Sequence, residues 1–240
     1  MSIAENGRPF TIISVNGAES LSSALPGILA SALDEAEDLG PATVVLVHVV
    51  GSIRPSEVKA WPGSVDLSTV SRWERVLRRL ERAPSTTLTF LEHACSQVAL
   101  ELLMVVDRRI ASASFSILSG GPDDDIWPSM ALYRLCRQIG ESRTRQFLLD
   151  RTLLTADRAI DLGIIDTIRH DAGQNSQPTA QQFLPYAPPS DYPVSRRLLQ
   201  DCVMPGFDDS LGAHLAACDR TLRRNLSYQE STRCTWPSGG

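Results

Sequence analysis

Residues 99–112, ALELLMVVDRRIAS, carry the strongest indication of the fold. Apolar side chains surround the longer segment 94–106 on all sides, and this pattern predicts a mostly buried helix. The polar residues His93, Gln97 and Glu101 recur every four positions, which would place them on one stripe of that helix. Burying a carboxyl group in such a helix is costly unless it is neutralised or hydrogen-bonded. Glu101 is therefore a candidate functional residue.

Strand-like and helix-like segments surround this stretch in a regular order. Residues 43–50 are nearly all β-branched and predict a strand that is buried on both faces. The other predicted strands are 11–15, 86–91, 110–117 and 164–168, and the other predicted helices are 20–38, 67–80, 129–139, 143–149 and 155–162.

The C-terminal third has a different composition. We expect a core domain over 1–170, followed by a linker or extended crossover over 171–193 that is rich in Gln, Pro, Ser and Ala. Two helices are predicted within 194–227, and the polar tail 228–240 is expected to be disordered.

Composition excludes several classes of protein. The chain has 23 basic and 28 acidic residues, and its formal charge of −5 argues against a nucleic-acid-binding surface. Its five cysteines are scattered and form no C-x-x-C pair, so we expect neither a disulfide framework nor a metal site. We see no signal peptide and no apolar run long enough to span a membrane, and we expect a cytoplasmic protein without membrane partners.

Four motifs resemble those of the crotonase superfamily, the enoyl-CoA hydratases and isomerases, in the right order between residues 11 and 168. ALELLMVVDRRIAS is similar to the superfamily pattern E-L-A-x-x-C-D-x-R-I-A, with Glu101 and Asp107 in register. The other three motifs are WERVLRRLERAPSTTLTF (73–90), WPSMALYRLCRQIG (127–140) and TADRAIDLGIIDTI (155–168). The resemblance implies an α/β fold, a crotonase-type ββα spiral core whose C-terminal helices serve oligomerisation into a trimer or a hexamer.

A closer likeness is to the hydratase-like proteins of the 3,5-dihydroxyphenylglycine pathway. These proteins assist a type III polyketide synthase that makes 3,5-dihydroxyphenylacetyl-CoA from malonyl-CoA. The likeness is carried by the helix after Trp73 and by SLGAHLAACDRTLRR at 210–224. It implies a CoA thioester as substrate, no separate cofactor, and two protein partners: the synthase and a second crotonase-like protein.

The resemblance also assigns an oxyanion hole. In the superfamily, two backbone N–H groups bind the enolate oxygen that forms from the thioester. One donor corresponds to Ser64 or Val65, in the loop that ends PGSVDL, and the other corresponds to Val98. The superfamily has glycine at the latter position, so Val98 is expected to narrow the pocket.

Glu101 matches one catalytic glutamate of the hydratases, and burial should raise its pKa toward neutrality. A helix-face glutamate paired with an arginine is the alternative. The position of the second hydratase glutamate is Ser119 here. Asp125, or one of the two aspartates before it, would replace that glutamate, unless these acids only form a turn and cap a helix.

Other polar residues near Glu101 have two interpretations each. His93 stands where the superfamily has glycine, and it is either a second acid/base or a packing residue. Gln97 either binds a substrate oxygen or satisfies buried backbone groups. Cys95 is expected to be an apolar filler, and Asp107 to fix the end of the helix. Glu19 stands where the superfamily often has a cation near the CoA phosphates, which predicts weak CoA binding.

Three functions therefore remain open. The first is an enzyme for dehydration and aromatisation of a polyketide-derived CoA thioester. The second is an inactive crotonase-fold subunit that stabilises a biosynthetic complex, which the missing glycine and the missing second glutamate favour. The third is another CoA-thioester enzyme, an isomerase or a thioesterase.

Overall fold

The structure is a computed structural model that describes 2–3, 8–117, 127–150, 153–170, 178–189 and 192–202, together with 211–212, 215–216, 218–220 and 222–223. The predicted tail 228–240 and the candidate Asp125 lie outside these described residues.

Most of the described strands form one sheet in the order β1-β2-β3-β4-β6-β9. All neighbours in it are parallel except β1, which pairs antiparallel with β2. Its strands are β1 (Ser2–Ile3), β2 (Pro9–Asn16), β3 (Val44–Val50), β4 (Thr86–Glu92), β6 (Arg108–Ser112) and β9 (Thr167–Arg169). A small second sheet contains β5 (Ala94–Cys95), β7 (Ser116–Ile117) and β8 (Leu154–Thr155).

Helices connect successive parallel strands of the main sheet, as expected for an α/β fold. The described helices are α1 (Leu25–Asp38), α2 (Leu67–Glu81), α3 (Val98–Leu103), α4 (Met130–Ile139), α5 (Glu141–Asp150), α6 (Ala156–Leu162), α7 (Ala180–Phe183) and α8 (Tyr192–Cys202).

Both faces of β3 are buried, as its β-branched sequence predicts. Val45, Val47 and Val49 point into a main core that also contains side chains of α1, α2, α3, α4 and α6. Val44 and Leu46 alternate with them and point into a smaller core on the other face. The sheet therefore has covered faces on both sides, as parallel sheets require.

Side-chain caps fix where several helices begin. The Asp66 carboxylate accepts a hydrogen bond from the Thr69 N–H at 2.8 Å at the start of α2. Ser129 caps α4, and Thr155 caps α6, which confirms the predicted helix start at that threonine. These caps hold the positions of the helices that carry the site.

The prediction of one long buried helix over 94–106 is wrong. Ala94 and Cys95 form β5, and α3 begins only at Val98. The chain is diverted because the Ser96 N–H donates to the Gly17 carbonyl at 2.7 Å, and a strand-end contact of this kind cannot be made from within a helix. The predicted strand 110–117 is likewise two strands, because a turn after Ser112 sends β7 into the second sheet.

The predicted linker 171–193 contains regular structure in its described part. Helix α7 buries Phe183 completely against Phe90 in the smaller core, with the two rings 4.9 Å apart. Beyond α8, Leu215 packs against the main core, and Cys218 and Leu222 are buried in it. Part of the segment after α8 is therefore buried within its own chain.

Candidate active site

The carboxyl group of Glu101 is held by two tryptophans in the interior of the protein. The residue lies in the first turn of α3 and is 2% exposed. Trp73 donates its indole N–H to Oε2 at 2.5 Å, and Trp61 donates its indole N–H to Oε1 at 3.2 Å. The partners of Glu101 are thus neutral indoles rather than the arginine that the alternative interpretation required.

This environment raises the pKa of Glu101 from its ordinary value of 4.5 to about 7. Burial is the largest cause, because it penalises the charged form. The hydrogen bond from Trp73 acts in the opposite direction, while the nearby charge of Glu74 raises the pKa further. A carboxyl group that exchanges its proton near pH 7 suits general acid–base chemistry.

Trp61 reaches Glu101 from a loop that is fastened to the chain after β2. The Lys59 N–H donates to the Ala18 carbonyl at 2.8 Å, and the Leu21 N–H donates to the Pro62 carbonyl at 3.0 Å. The Trp61 ring packs edge-on against Trp73, with 5.9 Å between the ring centroids. These contacts hold the Trp61 indole over the carboxyl group.

The space beside Glu101 is small. The cavity has a volume of about 10 Å³, which is close to the room that one water molecule needs. An acyl thioester would enter only after a wall residue moves. The wall of the cavity is formed by Leu21, Trp61, Pro62, Val70, Trp73, Glu74, Glu101, Trp127, Ser129, Met130 and Leu215.

The proposed oxyanion donors lie at the ends of two helices. Val98 is the first residue of α3 and its side chain is fully buried. The first N–H groups of a helix have no carbonyl partner within the helix, so such a group can serve as a donor. Ser64 is exposed and Val65 half-buried, just before Asp66 caps α2. Their role as an oxyanion hole stays a prediction.

His93 does not share a helical stripe with Glu101, because α3 starts five residues after it. Its backbone is left-handed, with φ of 63°, which is a conformation that glycine adopts without strain. This conformation is compatible with the glycine that the resemblance implies for this position. The imidazole Nδ1 lies 3.2 Å from the Ser114 hydroxyl oxygen. Its role as a second acid/base stays a prediction.

Gln97 makes the backbone contact that one interpretation required. Its side-chain amide donates to the Trp127 carbonyl at 3.3 Å, which fixes the chain just before α4. Cys95 is fully buried, and burial raises the pKa of its thiol to about 12, as expected of an apolar filler. Glu19 forms an exposed ion pair with Lys59 at 2.5 Å, near the loop that carries Trp61.

Sequence reasoning missed Trp61 and Glu74 as site residues. Both had a detectable signal. Glu74 falls between Val70 and Leu77 on the apolar side of α2, where an acidic residue is unexpected. Trp61 is one of only four tryptophans in the chain, next to a proline in a loop.

Comparisons with known proteins identify the family. The chain is 34% identical over 216 residues to an enoyl-CoA-hydratase of Amycolatopsis orientalis. The aligned region covers 90% of this chain and 97% of that protein. The chain belongs to the enoyl-CoA hydratase (crotonase) superfamily. No family model matches the sequence.

Solved structures of the superfamily share the fold. An enoyl-CoA hydratase of Mycobacterium avium subsp. paratuberculosis superposes with a TM-score of 0.69 at 15% identity, covering 90% of both chains. One from Mycobacterium smegmatis superposes with a TM-score of 0.66 at 13% identity, covering 96% of this chain and 89% of that one. The predicted crotonase-type α/β fold is therefore confirmed.

The described residues contain neither a cluster of metal-ligating side chains nor a helix suited to span a membrane. No group of three or more His, Cys, Asp and Glu side chains in the described part of the chain could hold a metal ion. Among the helices that the structure describes, none combines the length and the apolar character needed to cross a membrane.

Proposed function

We propose that this crotonase-superfamily protein promotes proton transfer on a polyketide-derived CoA thioester, in the dehydration and aromatisation that lead to 3,5-dihydroxyphenylacetyl-CoA. The observation that carries the proposal is the buried Glu101 carboxyl, held by two indole N–H groups with a pKa of about 7. The hydratase name of the Amycolatopsis orientalis relative supports the reaction class. A type III polyketide synthase would supply the substrate.

The chemistry needs one group that both takes and gives a proton. In its ionised form Glu101 removes a proton from the acidic carbon beside the thioester carbonyl, and the C–H electrons form the enolate. The enolate electrons then form the new C=C bond while the C–O bond to the hydroxyl group breaks. Protonated Glu101 returns the proton to the departing oxygen, so that water leaves. The Glu101 carboxyl is regenerated in its ionised form.

Backbone donors would lower the barrier for this reaction. Negative charge collects on the thioester oxygen in the enolate, and each well-placed N–H donor is worth about 3–4 kcal/mol in such sites. In this proposal the Val98 N–H is one donor, and the N–H of Ser64 or Val65 is the other. A residue of the cavity wall must move for the thioester to approach Glu101, because the cavity beside the carboxyl group is too small.

A second function is favoured by that same closed cavity. Both carboxylate oxygens of Glu101 already accept a hydrogen bond from an indole, and no room for an acyl chain adjoins them. A crotonase-fold subunit that only stabilises the synthase or a second crotonase-like protein needs no open site. In that case Glu101 is a structural residue that links α3 to α2 and to the Trp61 loop.

Product analysis separates the two functions. The synthase is supplied with malonyl-CoA together with the parent protein, Glu101→Gln or the control Glu92→Gln. Glu92 is partly buried, but its carboxylate contacts His48, which lies in β3 and not in the wall of the cavity. The enzyme proposal expects Glu101→Gln to lose roughly a hundredfold of the enhancement, the usual scale for a general acid–base group, while Glu92→Gln keeps it.

Equal enhancement by Glu101→Gln and the parent would contradict the enzyme proposal and support the partner subunit. A free carboxylic acid in place of the CoA thioester product would instead indicate a thioesterase, because hydrolysis of the thioester yields the acid and CoA.

A further inference from the structure

A second carboxyl group adjoins the cavity beside Glu101. Glu74 lies on the buried side of α2, directly after Trp73, and is 8% exposed. It lines the same small cavity as Glu101. Trp73 donates to Glu101, so the two neighbouring residues of α2 both face this part of the interior. The site therefore contains two carboxyl groups, although its motif carries only one.

Arg134 fixes the position of Glu74. This arginine of α4 is 2% exposed, and its two terminal nitrogens lie 2.5 and 3.3 Å from the two oxygens of Glu74. One of these nitrogens also donates to Glu81 at 3.3 Å. A two-point contact of this kind holds a carboxylate in one orientation. Glu74 is thus a fixed group beside the cavity.

We propose that Glu74, held by Arg134, is the second carboxyl group of this site and acts as a positioning residue whose negative charge keeps the proton on Glu101. Its effect on turnover rests on the function proposed above, but its effect on the Glu101 proton does not. It differs from the hydratase pattern, in which the second glutamate falls at the position of Ser119.

The charges around Glu101 are consistent with this role. Glu74 on α2 raises the pKa of Glu101, and the pKa of Glu74 is itself raised by burial, against the opposing effect of Arg134 on α4. Cys218, from the C-terminal segment, has a thiol pKa raised to about 12 by burial, and it therefore stays neutral. Trp61 and Trp73 carry no charge and only donate hydrogen bonds to Glu101.

The matched variants are Glu74→Gln and Glu81→Gln. Each removes one carboxylate partner of Arg134, but only Glu74 lines the cavity with Glu101. The readout is tryptophan emission in a pH titration without substrate, because Trp61 and Trp73 bond the Glu101 carboxyl directly. Glu101→Gln provides the blank, since it cannot titrate at that position.

We expect Glu74→Gln to move the midpoint of the emission change to lower pH by roughly one unit, the scale of a neighbouring charge in a buried site. Glu81→Gln should move the midpoint by less than about a third of that amount. An unchanged midpoint in Glu74→Gln, or an equal shift in both variants, overturns the proposal. If Glu74→Gln does not fold, Glu74→Met removes the same charge with an apolar side chain of similar length.

The titration tests the charge coupling between Glu74 and Glu101, and the product assay tests the enzyme function. Either result can contradict its own proposal without affecting the other. A shifted midpoint in Glu74→Gln, with full enhancement of the synthase by Glu101→Gln, would uphold the charge coupling and contradict the enzyme function. If both hold, the acidic limb of the pH–rate profile should move to lower pH in Glu74→Gln and stay in place in Glu81→Gln. A loss of rate without that movement would show a merely structural role.

Discussion

At neutral pH the Glu101 carboxyl is close to the midpoint of its titration, because burial raises its pKa to about 7. In the unfolded chain the same group would titrate near its ordinary value of 4.5. The folded protein therefore binds this proton more tightly than the unfolded chain does. The stabilisation is complete below about pH 4.5, falls as the pH rises, and is lost above the folded pKa of about 7.

This asymmetry predicts a measurable pH dependence of stability. Between pH 4.5 and pH 8 the parent should lose about 3 kcal/mol of unfolding free energy through Glu101. Glu101→Gln cannot titrate and should lack that part of the slope. Urea unfolding of both proteins at several pH values gives the difference, in which the other titrating groups cancel. Parallel pH profiles would show that Glu101 is ionised in the folded protein at neutral pH.

At the same scale, sequence reasoning found Glu101 but not its surroundings. A single acidic residue among Val, Ala, Leu and Met can be recognised from the sequence alone, and its burial there predicts a raised pKa. The indole partners come from positions 28 and 40 residues earlier, and no local pattern links them to Glu101. His93 was misplaced because its left-handed backbone breaks the helical register that its spacing suggests.

At the scale of elements, a buried ion pair attaches helix α8 to the core. A terminal nitrogen of Arg196 lies 2.7 and 2.8 Å from the two oxygens of Asp107, whose side chain is 1% exposed. Arg196 also donates to the Ala83 carbonyl. Asp107 accepts two further hydrogen bonds from Thr87, one of them from the backbone N–H at 2.9 Å. The predicted role of Asp107 at the end of α3 thus extends to α8.

Removing the arginine should destabilise the protein and release α8. Arg196→Met leaves a buried carboxylate without its cation, which typically costs about 3–5 kcal/mol. The lower value is expected here because Thr87 still donates to it. Denaturant unfolding measures the loss, and limited proteolysis should cut within α8. Arg197→Met is the control, since this neighbour is exposed and its replacement should change stability by less than about 0.5 kcal/mol.

The length and periodicity of an element decide whether the sequence alone could predict its bounds. β3 and α2 are long and periodic, so their patterns match the observed bounds to within one residue. The segment 94–106 is apolar throughout, so its periodicity could not separate a strand, a turn and a short helix. The tertiary contact of Ser96 with Gly17 decides it, and that contact is not local.

At the scale of the whole molecule, large apolar side chains are exposed on several of the described elements, among them Ile28 of α1 and Ile53. Leu149 of α5, the nearby Leu153 and Ile160 of α6 are exposed, as are Val194 and Leu199 of α8, at 66% and 62%. Leu222 of the C-terminal segment is buried in its own core instead. The self-association predicted from the superfamily should therefore depend on α8 rather than on the segment after it.

Light scattering coupled to gel filtration measures that association. We predict a trimer or a hexamer for the parent at micromolar concentration, because exposed leucine and valine side chains gain by leaving water at an interface. Val194→Glu combined with Leu199→Glu should give a folded monomer, since the added charges could not be buried there. Ile28→Glu is the control, because Ile28 is also exposed, at 57%, but lies on α1. A monomeric parent would contradict the prediction, and a double variant that still assembles would place the contact away from α8.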